Sequence, residues 1–178
     1  MKIAKNDVTL QFKKNNQIKT NTLIMLQQLD SLDIQILQML SENARKPYLE
    51  IARETGVSGA AVHQRIGKLQ NIGIIKGSNT IIAPESLGYE TCAYLGIYIK
   101  DTKRFDDIVE KLQNIPEVVE CHLTTGQYDI LLKVYAKNNE DLYDVIHHKL
   151  HSLDLGRSET IISFKELFKR QLPITDKK

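Results

Sequence analysis

The apolar residues of this 178-residue chain change their period at Gly73. Before it they recur every three or four positions: Leu32, Ile36, Leu37 and Leu40, then Tyr48, Ile51 and Ala52, then Val62, Ile66 and Leu69. That spacing lines one face of a helix. Beyond Gly73, CAYLGIYIK and YDILLKVYAK alternate in the manner of half-buried strands. A chain that changes period in this way needs two cores, and this one is long enough for two small domains at roughly 100 residues each.

The helical part is tightly punctuated. Asp30 predicts the cap of a first helix over about 31–43, with Asp33 at its third position and Leu29 and Ile34 at the staple positions. Pro47 suits the first turn of a second helix, with Tyr48, Ile51 and Ala52 inward and Gly56 as its stop. Ser58 caps a third helix that buries Val62, Ile66 and Leu69 and closes at Gly73. A small residue at a helix crossing, a glycine at the turn and an aliphatic residue in the second helix are what a helix-turn-helix requires; Ala52, Gly56 and Val62 fill those places. The third helix then presents Gly59, Ala60, His63, Gln64 and Lys68 outward, with Arg65 at the edge and no acid from Ser58 to Lys76. Such a face fits the major groove of double-stranded DNA. Ser58 would lie near a phosphate, Gln64 can pair with adenine, and Arg65 can pair with guanine or phosphate. The small Gly59 and Ala60 allow close approach. A helical bundle with a polar outer face has the same pattern, and Arg65 could instead pair with Glu50 or Glu54.

The second part predicts β-α-β-β-α-β. IIKG and TIIAP read as a short hairpin or a connector ending at Pro84. A strand follows over about 91–100, then a helix with Phe105, Ile108, Val109 and Leu112 inward. VVECHLTTG and YDILLKVYAK flank a tight turn at Gly126–Gln127. DLYDVIHHKLHSL is helical with Leu142, Val145, Ile146 and Leu150 inward, and SETIISFKELF is a last strand. The fold class is therefore α+β: an N-terminal, winged helix-turn-helix and a C-terminal ferredoxin-like sheet with two helices on one face. The expected domains are a basic extension over 1–28, the helix-turn-helix over 29–76, a connector over 77–89 and the ferredoxin-like domain over 90–170.

Charge is unevenly spread. Residues 1–28 hold five lysines against one aspartate, 29–76 six bases against five acids, and 77–178 thirteen bases against sixteen acids. The asymmetry suggests an anionic partner for the first half alone, although a solvated surface also produces it. Met25 directly precedes the structured pattern, so translation from Met25 is an alternative to a basic arm. No apolar run approaches the ~20 residues of a membrane span, and no apolar stretch follows the N-terminal lysines as a secretory signal requires. Cys92 and Cys121 read as buried, core-facing thiols in a reducing cytosol, which places the chain in the cytoplasm. Tyr89, Tyr94 and Tyr98 have strand spacing and read as sheet packing. His147 and His151 stand four apart beside His148, with His122 in a strand, but nothing nearby completes a ligand set; solvated histidines are the reading. Neither a metal nor a cofactor is expected, and there is no nucleophile–base pair.

With these residues in place, LDSLDIQILQMLSENARKPYLEIARETGVSGAAVHQRIGKLQNIGIIKG resembles the DNA-binding domain of the Lrp/AsnC (feast/famine) transcription regulators, and VVECHLTTGQYDILLKVYAKNNEDLYDVIHHKL resembles their sensing domain. The resemblance runs from about Leu29 to Phe168. It implies a homodimer built through the sensing sheets, assembling further to tetramers or octamers, and an amino acid or related metabolite bound between dimers. The family's turn motif falls on Gly126, Tyr128 and Asp129, with Thr124 and Thr125 before it and Thr160 as a further lining residue. A glycine turn exposes N–H groups to a carboxylate, and Asp129 can accept from an ammonium; Gly and Asp are equally ordinary in a hairpin turn. Where many members have Pro-Gly before the last strand, this chain has Asp154-Leu155-Gly156. Some haem-biosynthetic decarboxylases resemble the same architecture, and His122 would then bind tetrapyrrole; the basic third helix argues against that. A corepressor-type adaptor that reads no sequence is a third reading.

Overall fold

The computed structural model describes residues 29–175. The basic extension and the Met25 alternative lie outside the described residues. The described residues divide into two compact units: 29–79 joined by 170–175, and Thr80–Lys169.

The first unit contains α1 (Ser31–Glu42), α2 (Tyr48–Thr55) and α3 (Gly59–Asn71). Asp30 accepts from the Asp33 amide at 2.9 Å, and Asp33 accepts from the Asp30 amide at 3.4 Å. This reciprocal capping box satisfies two amides at the helix entrance. Pro47 is the N-cap of α2. Gly56, at φ 70°, ends that helix in the left-handed region that glycine enters without a Cβ penalty. Ser58 caps α3 by accepting from the Ala61 amide at 3.2 Å. Ile36, Ile51, Ala52, Val62, Ile66 and Leu69 form the core. Burial of each larger side chain contributes about 1.5–3 kcal/mol. Tyr48 corrects the expected inner face of α2. It is exposed, because its first-turn position lies at the rim, and its ring meets His63 edge-on at 5.9 Å.

After Gly73 the amides of Ile74 and Ile75 turn back to Leu69 O, and both side chains pack against this core. Residues 75–83 form no strand, so the segment is a connector and no hairpin follows α3. Ile81 and Ile82 have no strand opposite them and are exposed. At the other end of the chain, Gln38 Nε2 donates to Ile174 O at 2.8 Å, tying the tail to α1.

The second unit carries a four-stranded sheet in the order β2-β3-β1-β4, with every neighbouring pair antiparallel. Its elements are β1 (Thr91–Ile97), α4 (Phe105–Gln113), β2 (Val118–Leu123), β3 (Ile130–Ala136), α5 (Asn139–Asp144) and β4 (Ser158–Ser163). α5 continues as a wider π-helical turn, Val145–Leu150, and a 3₁₀ turn, His151–Leu153. Ala93, Leu95, Ile97, Ile130, Leu132 and Val134 face the helices and bury Ile108, Leu112, Leu142, Val145 and Leu150. Strand alternation puts Cys92, Tyr94, Gly96, Leu131, Lys133 and Tyr135 on the open face.

That alternation corrects the reading of both thiols. Cys92 is half-buried and points away from the helices. Cys121 lies opposite Leu132, but on edge strand β2, where it is exposed. Lys133 is buried on the open face between the Tyr94 and Tyr135 rings, with Glu120 and Glu166 at 3.8 and 3.6 Å. Burial works against its charge, yet the flanking tyrosines and Glu120 hold the ammonium above its ordinary range. Beyond β4, Phe164, Leu167 and Phe168 are exposed, as is Ile161 within it.

Candidate functional site

On α3 the structure exposes Ser58, Ala60, His63, Gln64 and Lys68 and leaves Gly59 and Arg65 half-buried. A Cβ built on Gly59 would stand 3.2 Å from Leu49 Cδ2, so the missing side chain eases the approach of α2. Nothing crowds Gly67, and its place in the helix has no structural explanation.

Arg65 is engaged within the unit. Its Nη1 donates to Asp30 Oδ2 at 2.5 Å and to Asp33 Oδ1 at 3.0 Å, while Lys68 Nζ reaches Asp33 Oδ2 at 3.3 Å. Glu50 and Glu54, the alternative partners for Arg65, are not used; Glu54 pairs with Lys46 at 2.7 Å. Asp33 is fully buried. It therefore serves three ends: it completes the capping box, and it gathers two cations from the neighbouring helix. A buried carboxylate needs such partners to stay charged. The Arg65 hydrogen bond holds the Asp30 carboxyl below the usual carboxylate range, helped by the Asp33 amide. An acid inside the apolar stripe of α1 was the available sign of this hub.

In the second unit, Thr124, Gly126, Tyr128 and Asp129 stand in the turn between β2 and β3. Gly126 has φ 141°, which only glycine adopts readily, and a Cβ there would meet nothing within 4 Å. The Thr124 amide donates to Asp129 O at 3.0 Å and its hydroxyl to Tyr128 O. Asp129 accepts from the Ile99 amide through Oδ2 at 2.7 Å. Tyr128 Oη donates to Glu159 Oε2 at 2.8 Å, and that bond, with burial behind it, raises the phenol above its ordinary range. Thr160 sits opposite Leu95, on the helix side of the sheet, whereas Tyr128 lies over Gly96 on the open side. The structure does not bring those two together. A cavity of about 490 Å³ lies beside Lys111, His148 and Leu153, and another of about 290 Å³ beside Pro84, Tyr89 and Tyr135, both away from the turn. The departure before the last strand is accommodated by Asp154 at φ 52°, with Arg104 at 3.2 Å from its carboxylate.

An AsnC-type helix-turn-helix domain matches residues 29–70, and the Lrp/AsnC ligand binding domain matches residues 92–173. The chain belongs to the Lrp/AsnC family of transcription regulators. It is 39% identical to the regulatory protein AsnC of Haemophilus influenzae over 145 residues, which are 81% of this chain and 97% of that protein. The structure of Escherichia coli AsnC superposes with a TM-score of 0.77 at 34% identity, covering 81% of this chain and 97% of that one. A transcriptional regulator from Neisseria meningitidis, solved with L-methionine, superposes with a TM-score of 0.77 at 26% identity over 82% and 96% of the two chains. The Lrp/AsnC matches give no support to the decarboxylase alternative. His122 is exposed and faces Glu120 at 3.3 Å. His147 stacks between Tyr143 and His151, at 4.1 and 4.7 Å between ring centroids. Among the described residues no helix is long and apolar enough to cross a membrane.

Proposed function

We propose that this Lrp/AsnC regulator reads double-stranded DNA through α3 as a cytoplasmic homo-oligomer, and that an amino acid modulates it at the Thr124–Asp129 turn. The acid-free exposed face of α3, set at a glycine turn and capped by Ser58, carries the reading. His63 and Gln64 are exposed side chains that can reach base edges or phosphates, and Lys68, exposed while also reaching Asp33, can meet a phosphate. Ser58, Gly59 and Ala60 bring the helix N-terminus close to the backbone. Arg65 positions α3 first, and contributes to DNA only by exchanging Asp30 for a phosphate.

The amino-acid reading draws on the L-methionine complex of the Neisseria meningitidis relative and on the amides exposed at Gly126. The open sheet face with Tyr94, Leu131, Tyr135 and Ile161 favours a homodimer, and tetramers or octamers would bring turns together. The helix-turn-helix over 29–76, the connector over 77–89 and the sensing domain over 90–170 are the working boundaries.

Fluorescence anisotropy with a duplex from the protein's own upstream region, against a scrambled duplex, tests the DNA reading. A preference of at least a hundredfold for the genuine duplex is expected. Equal affinity for the two would reject it. Repeating the titration with each of the twenty amino acids tests the effector reading, and one or more should shift the midpoint.

A further inference from the structure

We infer that Gly96, in the middle of β1, is the positioning residue of the proposed effector turn, through an interlock with Tyr128; the inference rests on the effector reading above. A Cβ built on Gly96 would lie 2.5 Å from Tyr128 Cγ and Cε1, closer than real side chains approach. The phenol ring therefore lies directly on the backbone of β1, in space that any side chain at 96 would take. Because the crowded atoms include the root of the ring, rotating its far end gives no relief. The ring would have to leave its seat, and the hydroxyl would go with it.

From that seat Tyr128 enters a closed circuit. Its hydroxyl donates to Glu159 Oε2 at 2.8 Å, and Glu159 Oε1 meets Arg157 Nη2 at 2.5 Å. The Arg157 guanidinium lies 5.8 Å from the centre of the Tyr98 ring, and Tyr98 meets Tyr128 edge to face at 5.5 Å. The circuit joins the turn to β4 and to the end of β1. The backbone runs parallel to it: the Asp129 amide donates to Ile97 O at 3.0 Å, and Asp129 Oδ2 accepts from Ile99. Asp129 thus pins the main chain where the turn ends, and Tyr128 pins the adjacent side chain. Only the second link depends on the residue at 96. Gly96 would then set where the Gly126 amides point while standing outside the binding surface, and a larger residue there would change which ligands fit.

The test is a double-mutant cycle on the full chain with Gly96→Ala, Tyr128→Ala and both together, plus Tyr128→Phe. Thermal unfolding and calorimetric titration with the twenty proteinogenic L-amino acids are the two readouts. Gly96→Ala is expected to weaken the best-binding amino acid at least tenfold or reorder the panel. Tyr128→Phe, which keeps the ring seated and loses only the Glu159 bond, should weaken it less. In the Tyr128→Ala background, adding Gly96→Ala should leave the melting temperature within a degree, because the ring it displaces is gone. If Gly96→Ala alone does not fold, recovery of folding in the double variant supports the interlock, and failure of both overturns it. Additive losses of melting temperature, or an unchanged amino-acid profile in Gly96→Ala, overturn the inference while leaving the effector reading intact. A wild-type chain that binds none of the twenty overturns the effector reading and this assignment together.

Discussion

At the scale of single residues, the sharpest contrast is between Arg65 and its neighbours on α3. Gln64 and His63 touch nothing that holds the unit together by hydrogen bonds, whereas Arg65 ties α3 to α1 through Asp30 and Asp33. Gln64→Ala should reduce discrimination between duplexes by about 1–3 kcal/mol if it pairs with a base, with no change in melting temperature. Arg65→Met should instead destabilise the first unit by about 2–3 kcal/mol in urea unfolding. That is less than the ~3–5 kcal/mol for breaking a fully buried pair, since Arg65 is 31% exposed and Lys68 still serves Asp33. The same hub gives a pH dependence with a definite sign. Asp30 has its folded pKa lowered by Arg65. Its contribution is complete above the unfolded value of about 3.9 and is lost as pH falls through the lower folded value. Acid titration of wild type and Asp30→Asn should therefore converge at the acid end and separate above it. The sequence showed an arginine at the edge of a helix and acids on the preceding one. Which acid it met depended on how α1 crosses α3, and helical spacing within one element carries no information on that.

At the scale of elements, the caps and stops were the most readable parts of the chain. Asp30, Ser58, Gly56 and Gly73 act locally, through their own side chains or φ angles, so their signals survive without knowledge of the fold. Ser58→Ala should cost about 1 kcal/mol in stability and lower DNA affinity as α3 frays. Far-ultraviolet circular dichroism on heating and anisotropy read the two effects. Gly126→Ala should cost about 1–3 kcal/mol by strain alone, since the space around it is open; differential scanning calorimetry checks it. The elements that were misread or left open depended on partners. IIKG and TIIAP allowed a hairpin or a connector, and the connector forms, because a strand needs an opposing strand and none is present at residues 75–83. Cys121 alternated as a core residue would, yet β2 is an edge strand with a register shift between Val118 and Glu120, and its outer positions stay wet. The widened turn at Val145–Leu150 left no mark, because Leu142, Val145, Ile146 and Leu150 suit an ordinary helix equally well. For the proposed effector turn, Gly126 and Asp129 were legible as turn residues, but Gly96 and Glu159 were not. They reach it across the sheet from β1 and β4, at sequence distances no local pattern spans.

At the scale of the whole molecule, the exposed side chains after β4 say most about assembly. Phe164, Leu167 and Phe168 stay in water in a single chain, beside an open sheet face that buries a lysine between tyrosines. An oligomer that covers them should show a melting temperature that rises with protein concentration over a hundredfold range. A value independent of concentration would argue for a stable monomer.

The tail adds a topological point. Residues 170–175 belong to the first unit, with Ile174 accepting from Gln38, so the chain leaves that unit once and comes back to it. In connectivity the second unit is an insertion, residues 80–169 spliced between the three helices and their own C-terminal strap. Two covalent crossings therefore join the units, one at Asn79–Thr80 and one at Lys169–Arg170, and β4, which carries Glu159, leads into the second. Cleaving the chain after Lys169 would cut the second crossing and leave the first unit without the covalent supply of its Gln38–Ile174 bond, while the described helices and strands all lie before the cut.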